Sequence, residues 1–245
     1  MKYNRKTVPP IAGNQNPNRP AIEVRPHKAV KRARILSADN IETAFRHIEE
    51  TSHSPYSDEA KFALSVFAGL RVSEIADLTT SAFLDADGKI GPNIIVGANL
   101  AKGGRERIIP IHPRLRQALQ KLRKAHPHID YVSFSHWGRI KKQSPSALKD
   151  FFSKLYREIG LEGCSSHSGR RTFITGLAKL AAEKNRTLRD VQVLAGHSRL
   201  ETTQIYIDPS DDYADLVSGL HAGNDNGSIE DDHDDDALDP PGGAA

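Results

Sequence analysis

Helical hydrophobic periodicity runs through most of the chain and is interrupted once, by a strand-like stretch at residues 82–112. Apolar residues three and four positions apart predict helices, whereas short runs of branched residues between turns predict strands. This order of helices, a short sheet and more helices indicates an α+β fold that is mainly helical. The predicted helices begin at Ser37 or Asp39 and near Ser57, and cover 72–78, 113–124, 145–159, 167–183, 187–195, 199–206 and 211–220.

The strand-like stretch contains two turn signals and two apolar runs. An Asp-Gly turn lies at 87–88, and a Lys-Gly-Gly turn lies at 102–104. The apolar runs at 94–96 and 108–111 predict a small antiparallel sheet. Pro110 is expected on or near an edge of this sheet, because proline cannot donate a ladder hydrogen bond.

Charge is distributed unevenly along the chain. The 245 residues carry 34 Lys and Arg against 31 Asp and Glu, a formal net charge of +3. Residues 1–34 carry +8, residues 35–207 carry +7, and residues 208–245 carry −12. Clustered basic residues bind polyanions by releasing counterions from phosphates, so nucleic acid is one expected partner. A need for solubility alone would explain the same charge.

Composition also divides the chain. The Pro-, Asn-, Lys- and Arg-rich residues 1–34 show no periodicity and are predicted to be a basic disordered arm. Residues 222–245 are predicted to be an acidic disordered tail. Residues 35–221 then form a single domain of ordinary size.

Several classes of protein are excluded by what the sequence lacks. It has no apolar run of membrane-spanning length and no secretory signal. A single cysteine, Cys164, excludes an internal disulfide and a cysteine-rich zinc site. Glycine-rich nucleotide loops and the H-E-x-x-H motif are also absent. We therefore expect a cytoplasmic protein without a cofactor or a bound metal, and with no membrane partner.

Two basic residues lie at the start of a helix and at a hairpin tip. Arg71 in AGLRVSEIADL either joins free backbone N–H groups in a phosphate cradle or pairs with Glu74 or Glu59. Lys102 in AKGGRERIIPI is either a functional lysine or an ordinary solvated one.

A histidine and an arginine lie three residues apart in HSGRRTF. This spacing predicts that His167 and Arg170 share a helical face near a helix start, with Ser165 or Ser166 as the cap. The pair would form a second anion site, unless the histidine is satisfied by a surface carboxylate.

A further histidine and a tyrosine lie in LAGHSRLETTQIY. Thr187 and Asp190 predict a capping box for the preceding helix, which stops at Gly196. His197 follows this stop, and Tyr206 comes nine residues later. A lone tyrosine at such a position is more typical of a half-buried core residue.

These segments occur in an order that resembles the catalytic domain of tyrosine recombinases, the phage-integrase family. The signature of that family is Arg, Lys, His-x-x-Arg, His or Trp, and then Tyr. The stretch from His197 to Tyr206, with Gly before the histidine and two Thr before the tyrosine, is the most similar. The resemblance covers roughly residues 36–220.

The resemblance implies that Tyr206 is a nucleophile in phosphodiester cleavage. It would attack the scissile phosphate to leave a 3′-phosphotyrosyl bond and a free 5′-hydroxyl. A phenol with a pKa of ~10 needs a base, for which His167 is the candidate. Lys102 would protonate the leaving 5′-oxygen as the general acid.

The resemblance also implies a set of groups that bind the phosphate. Arg71 and Arg170 would hold the non-bridging oxygens, since guanidinium geometry suits two oxygens better than a lysine does. His197 would donate another hydrogen bond, and Glu74 would orient Arg71 without touching DNA. Neither metal nor ATP would be needed, because the cations supply the charge and the phosphotyrosine conserves the bond energy.

In the family, recombination proceeds in a synaptic tetramer on double-stranded DNA. The segment 213–220 is a candidate for docking onto a neighbouring subunit, or else it packs on its own domain. A nucleoid-associated location follows. The residues expected to contact DNA are Lys28, Lys31, Arg32, Arg34, Arg105, Arg139, Lys141 and Lys142.

The sequence departs from the family pattern in two places. Gly169 stands where the family more often has a bulky apolar residue. In addition, only about 35 residues precede the first helix, too few for the usual N-terminal core-binding domain. Either the basic segment 28–34 replaces that domain, or a second recombinase or an accessory DNA-bending protein completes the DNA clamp.

The sequence is also compatible with three alternative functions. A DNA-binding regulator could keep the fold without turnover. A type IB-like topoisomerase would share the phosphotyrosine chemistry but act without partner sites. A basic nucleic-acid-binding domain would make the order of the motifs a coincidence.

Overall fold

The computed structural model describes residues 33–101, 106–135 and 140–204. This part of the chain is mainly helical, as predicted, and it contains two small antiparallel sheets. Its helices are α1 (Ala38–Thr51), α2 (Pro55–Phe67), α3 (Val72–Asp77), α4 (Pro113–Ala125), α5 (Pro145–Glu158), α6 (Ser168–Glu183), α7 (Leu188–Ala195) and α8 (Leu200–Gln204), with a 3₁₀ turn at Thr80–Ala82. Within these ranges no helix combines the length and the apolar character needed to cross a bilayer. The predicted helix at 211–220 lies outside the described residues.

Two of the predicted helix starts, those of α1 and α7, are confirmed by side-chain caps. Ser37 accepts a hydrogen bond from the backbone N–H of Asn40, and the Asn40 side chain accepts one in return, which closes a capping box on α1. Thr187 and Asp190 form the predicted box on α7. Helix α7 then ends at Gly196, whose positive φ of 63° stops the helix.

The predicted cap of α6 is wrong by one or two residues. The helix begins at Ser168, and His167 occupies the N-cap position, not Ser165 or Ser166. The reason is a tight turn before the helix, in which the N–H of Ser165 donates to Ser168 Oγ and the N–H of Ser168 donates to the Ser165 carbonyl. These hydrogen bonds draw Ser165 into the turn before the helix.

The predicted antiparallel sheet is formed by β1 (Asn93–Val96) and β2 (Arg107–Pro110). Asn93 pairs with Pro110 and Val96 with Arg107, so the proline stands at the end of the ladder. An isolated bridge between Leu84 and Ile90 closes the predicted Asp-Gly turn. The predicted turn at 102–104 lies outside the described residues.

A second, two-stranded sheet was not predicted. It pairs β3 (Phe134–Ser135) with β4 (Lys141–Lys142) in antiparallel register. Strands of two residues are too short to show an alternating pattern, so only the tertiary structure reveals them.

Helix α2 lies at the centre of the core. Phe62, Ala63, Leu64 and Val66 are all buried, although they point in different directions around the helix. This burial on several sides follows because α1, α4 and α6 all pack against α2.

The chain turns sharply after α2, and this turn positions the start of α3. Gly69 has a φ of 60°, and a side chain there would collide with the ring of Phe173 on α6. Glycine therefore allows the loop to lie directly against α6. As a result, Arg71 at the start of α3 faces the beginning of α6 and the end of α7.

Candidate functional site

Four of the six predicted catalytic residues lie in the described part of the chain. They are Arg71, His167, Arg170 and His197. Lys102 and Tyr206 lie outside it, so their positions are not described. The supporting residue Glu74 is described and is buried.

Arg71 is the N-cap residue of α3 and makes contacts in two directions. Its backbone N–H donates to Glu74 Oε2 at 2.7 Å, and its Nη1 donates to Glu74 Oε1 at 2.8 Å. Its Nη2 donates to the carbonyl of Gly196 at 3.2 Å. The side chain remains 23% exposed. The pairing with Glu74 thus exists, and it holds the guanidinium against the α7–α8 loop. Glu59, the other candidate partner, binds Lys121 at 2.9 Å.

Glu74 is shared between two arginines. Besides its two bonds from Arg71, its Oε1 accepts from Arg107 Nη1 at 3.0 Å and its Oε2 from Arg107 Nη2 at 2.6 Å. Burial by itself would raise the pKa of Glu74, but the hydrogen bonds and charges of Arg107 and then Arg71 outweigh burial and hold that pKa below its usual value. The carboxylate is therefore ionised and uses its full acceptor capacity within the protein.

Arg170 joins two chain segments that end helices. It is 6% exposed and lies in the first turn of α6. Its Nη1 donates to the carbonyl of Gly69, and its Nη2 donates to the carbonyl of Ala195 at 2.6 Å. Such carbonyls lack helical partners, so a guanidinium satisfies them well. Arg170 thereby fixes the loop that carries Arg71 relative to the end of α7.

His197 follows the left-handed Gly196 and is 7% exposed. Its Nδ1 lies 3.0 Å from Thr203 Oγ1, and its carbonyl accepts from Gln192 Nε2 at 2.9 Å. Burial, together with the positive charges of Arg170, Arg71 and Arg107, lowers the pKa of His197 to about 4. The imidazole is therefore neutral at pH 7. When Nδ1 accepts from Thr203, the Nε2–H is the hydrogen-bond donor of the ring.

His167 differs from Arg170 in exposure, although the spacing predicted a shared face. It is the exposed cap of α6, and its contacts lie in the preceding turn. Its backbone N–H donates to Ser165 Oγ at 3.3 Å, and its Nδ1 lies 3.5 Å from Ser166 Oγ. Arg170 turns inward because its guanidinium donates to the carbonyls of Gly69 and Ala195, which lie on the segments that face α6.

Sequence reasoning missed Arg107, the third arginine of the site. Arg107, Ile109 and Ile111 are buried, while Ile108 between them is 53% exposed. An arginine in phase with the inward-facing isoleucines of a strand needs a buried carboxylate. The alternating pattern in RERIIPI was the signal that could have identified it.

The described site carries an excess of positive charge. Arg71, Arg107 and Arg170 contribute three cations against the single carboxylate of Glu74, and His197 is neutral. Two positive charges thus remain uncompensated within this group. Such a site can bind a phosphate through the guanidinium of Arg71 and the His197 ring. Across the described residues no group of His, Cys, Asp and Glu is arranged to hold a metal ion.

The predicted DNA-contacting residues are only partly described. Arg34 donates to the carbonyl of Glu162 at 2.9 Å. On β4, Lys141 is exposed, and Lys142 pairs with Asp77 at 2.7 Å. The other five lie outside the described residues, namely Lys28, Lys31, Arg32, Arg105 and Arg139.

Close helix packing explains why residue 169 is a glycine. A Cβ at this position would overlap Ser65 Oγ and lie 3.0 Å from Val66 Cγ1, so α6 approaches α2 too closely for a side chain. The departure from the family pattern is therefore matched by a small residue on the facing helix.

The chain is similar in sequence to known tyrosine recombinases. The chain is 32% identical over 198 residues to the tyrosine recombinase XerC of Rickettsia prowazekii, a match that covers 78% of this chain and 61% of that protein. It is 28% identical to the tyrosine recombinase XerD of Listeria innocua, over 76% of this chain and 62% of that protein. The chain thus spans about three fifths of the length of these curated relatives.

Solved structures share the fold. The crystal structure of XerA recombinase superposes with a TM-score of 0.57 at 21% identity, over 77% of this chain and 65% of that one. The Tn1549 transposon integrase in complex with a circular intermediate DNA gives a TM-score of 0.60 at 18% identity, over 79% and 67%. The family model of the phage integrase family matches residues 34–212, and this range includes the whole described site. The chain belongs to the phage integrase family.

Proposed function

We propose that the protein is a site-specific DNA recombinase that cuts and rejoins DNA through a 3′-phosphotyrosyl intermediate. The reaction would result in integration, excision or inversion of DNA. The observation that carries this proposal is the meeting of Arg71, Arg170 and His197, from three distant parts of the chain, around one positively charged site. The named activity of the XerC and XerD relatives supports it.

In the proposed reaction, Tyr206 Oη attacks the scissile phosphorus and displaces the 5′-oxygen. The phenolic proton passes to His167, whose exposed ring is open to a substrate. Lys102 donates a proton to the leaving 5′-oxygen as the P–O5′ bond breaks. A 5′-hydroxyl from a partner duplex reverses these steps, so the bond count is unchanged and no ATP is consumed.

The phosphate itself would be held by Arg71, Arg170 and His197. The charge on the non-bridging oxygens increases in the transition state, and preorganised donors stabilise it there more than in water. A neutral His197 donates from Nε2 without adding charge. The guanidinium groups supply the positive charge, so the proposal requires no metal.

We propose that the basic arm 1–34 and the exposed β4 lysine, Lys141, contact the phosphate backbone of DNA. Such contacts position the protein without reading the sequence. The same role is proposed for Arg34, Arg105, Arg139 and Lys142. Removing one of these charges would lower the salt dependence of DNA binding by about one unit of slope.

We also propose that copies of the chain assemble as a tetramer on DNA. An apolar cleft of about 430 Å³ between α6 and α7 is lined by Leu177 and Leu180, and its charged lining residues are Lys184, Arg186 and Asp190, a net charge of +1. The segment 213–220 of a second copy has the apolar residues Leu216, Val217 and Leu220, and it contains one aspartate and follows two more, so its charge complements the basic residues of the cleft. Leu180→Asp would then abolish assembly on DNA and leave binding to a single site intact, as gel mobility would reveal.

Covalent trapping tests the proposed chemistry. Purified protein and its Tyr206→Phe variant are each incubated with sheared host DNA and then denatured. The DNA-linked protein is recovered, and the DNA attached to it is sequenced. An adduct at Tyr206 in the wild type alone is the expected result. An adduct that persists in the Phe variant would contradict the assignment of the nucleophile.

A catalytically silent DNA-binding regulator gives a different result in the same experiment. Both forms would bind DNA and neither would be trapped, even on the DNA that each protein enriches. The regulator would also keep its biological effect in the Phe variant, whereas a recombinase would lose it.

A further inference from the structure

Arg107 is the most deeply buried positive charge of the described site. Its side chain is 2% exposed, so it cannot touch DNA. It lies at the start of β2, 33 residues from its partner Glu74 in the sequence, and binds both oxygens of that carboxylate. No step of the proposed cleavage uses Arg107.

Stability does not account for a charge at this position. A buried ion pair is often no more stabilising than apolar side chains of the same volume, because both charges lose their hydration. In addition, Arg107 Nε is buried and has no hydrogen-bond partner among the described residues. A charge at this position therefore costs stability, which indicates that it has a role other than stabilising the fold.

Arg107 also contacts the opposite wall of the site. A Cβ on Gly196 would lie 2.9 Å from Arg107 Cδ, so the arginine stem packs directly against the Gly196 backbone. The carbonyl of Gly196 is the acceptor for Arg71 Nη2, and His197 is the next residue. One side chain thus supports the carboxylate and the loop that both hold Arg71.

We propose that Arg107 is a positioning residue: it offsets the negative charge of Glu74, so that Arg71 and its partners present a net positive charge to a bound phosphate. Glu74 has one negative charge, and the two arginines share it. With Arg107 present, the group of three carries a net charge of +1. Without it, Glu74 and Arg71 would neutralise each other, and the phosphate would meet one positive charge fewer.

The consequence for DNA cleavage depends on the proposed function, but the charge itself can be tested without DNA. The full chain is titrated with inorganic phosphate at constant ionic strength, and the backbone amides of Gly196 and His197 are followed by NMR. Arg107→Met is expected to weaken phosphate binding at these amides about tenfold, the effect of one lost charge at close range. Arg107→Lys keeps the charge and is expected to keep most of the affinity.

A double variant separates charge from packing. Arg107→Met with Glu74→Gln restores the net charge of +1, so phosphate affinity should return to within about threefold of the wild type. Glu74→Gln alone gives +2 and should bind phosphate more tightly, even though it leaves Arg107 unpaired and lowers stability. These two variants keep the test decisive if Arg107→Met does not fold.

Arg116→Met is the matched control. Arg116 is partly buried and donates to the carbonyls of Ile90 and Gly91 at 2.7 and 2.8 Å, on the loop before β1. Its loss should lower stability and leave phosphate affinity at the site unchanged. If affinity follows the free energy of unfolding across all variants, and not the net charge, Arg107 is only structural and the proposal is overturned.

Failure of the proposed function would look different. If the charge pattern holds while DNA is never trapped, the role of Arg107 stands and the recombinase assignment fails. If DNA is trapped while phosphate affinity does not depend on the charge at position 107, only the proposed role of Arg107 fails.

Discussion

Arg71 and Gly196 lie 125 positions apart in the sequence and are joined by a hydrogen bond of 3.2 Å from the guanidinium to the carbonyl. The bond links the start of α3 to the residue that ends α7. Together with the two carbonyl contacts of Arg170, it holds the helix ends around the proposed phosphate site at a fixed distance. The geometry of one side chain thus depends on the packing of the whole domain.

This contact predicts that charge alone will not replace Arg71. Arg71→Lys keeps the positive charge but cannot bind Glu74, Gly196 and a phosphate at once, because it lacks the planar fork. We expect the rate of adduct formation to fall about 10²-fold or more. Binding to duplex DNA should change less than about threefold, since many phosphate contacts contribute to it.

Arg116→Lys is the control for this substitution. It makes the same chemical change at a partly buried arginine outside the site, whose guanidinium donates to two backbone carbonyls. A similar loss of adduct formation in both variants would mean that Arg71 acts through stability and not on the phosphate.

Lys102 is expected to matter only while the leaving oxygen needs a proton. Lys102→Ala should slow cleavage of ordinary DNA by about 10²- to 10⁴-fold. A substrate with sulfur in place of the bridging 5′-oxygen releases a thiolate that needs no general acid, so the variant should cleave it about as fast as the wild type. Rates are measured on the DNA recovered by trapping. Equal defects on both substrates would rule out the role as general acid.

The close contact between α6 and α2 predicts a cost for any side chain at Gly169. Gly169→Ala should lower the free energy of unfolding by about 1–3 kcal/mol, because the new methyl group overlaps Ser65 and crowds Val66. Urea denaturation measures this change. The double variant with Ser65→Gly should recover part of the loss, with a coupling energy of about 1 kcal/mol.

Gly176 provides the control on the same helix. A Cβ there meets no atom within 4 Å, so Gly176→Ala should be neutral or stabilise the protein by up to about 1 kcal/mol through helix propensity alone. A loss at Gly176 equal to that at Gly169 would show that the α2 contact is not the cause.

The lowered pKa of His197 predicts how stability depends on pH. The folded protein resists protonation of this ring until about pH 4, whereas the unfolded chain binds the proton near the ordinary value of 6.5. Its contribution to stability is therefore complete above pH 6.5 and is lost as the pH falls from there toward 4. The loss amounts to at most about 1.4 kcal/mol per pH unit.

His197→Asn removes the titrating ring and should flatten this part of the curve. The free energy of unfolding is measured for both proteins between pH 7.5 and 5, where most carboxylates stay ionised. If the two curves run parallel over that interval, His197 is not held neutral by its surroundings.

Prediction from the sequence succeeded where the signal is local. The capping box of Thr187 and Asp190 was identified from four consecutive residues, and the end of α7 at Gly196 from one. It failed for β3 and β4, because strands of two residues are too short to show an alternating pattern. It also misplaced the cap of α6, because adjacent serines compete for the same backbone groups and packing selects among them.

The order of Arg71, Lys102, His167, Arg170, His197 and Tyr206 along the chain is a property of the sequence alone. That order, with the helical periodicity, was sufficient to determine the family and the mainly helical α+β class. It could not reveal that Glu74 is divided between two arginines, or that Arg107 belongs to the site. These facts depend on contacts between residues 33 and 125 positions apart, and such contacts exist only after the helices pack around α2. The physical reason is that residue type and spacing set local conformation, whereas the charge of a buried site depends on which distant groups the fold brings together.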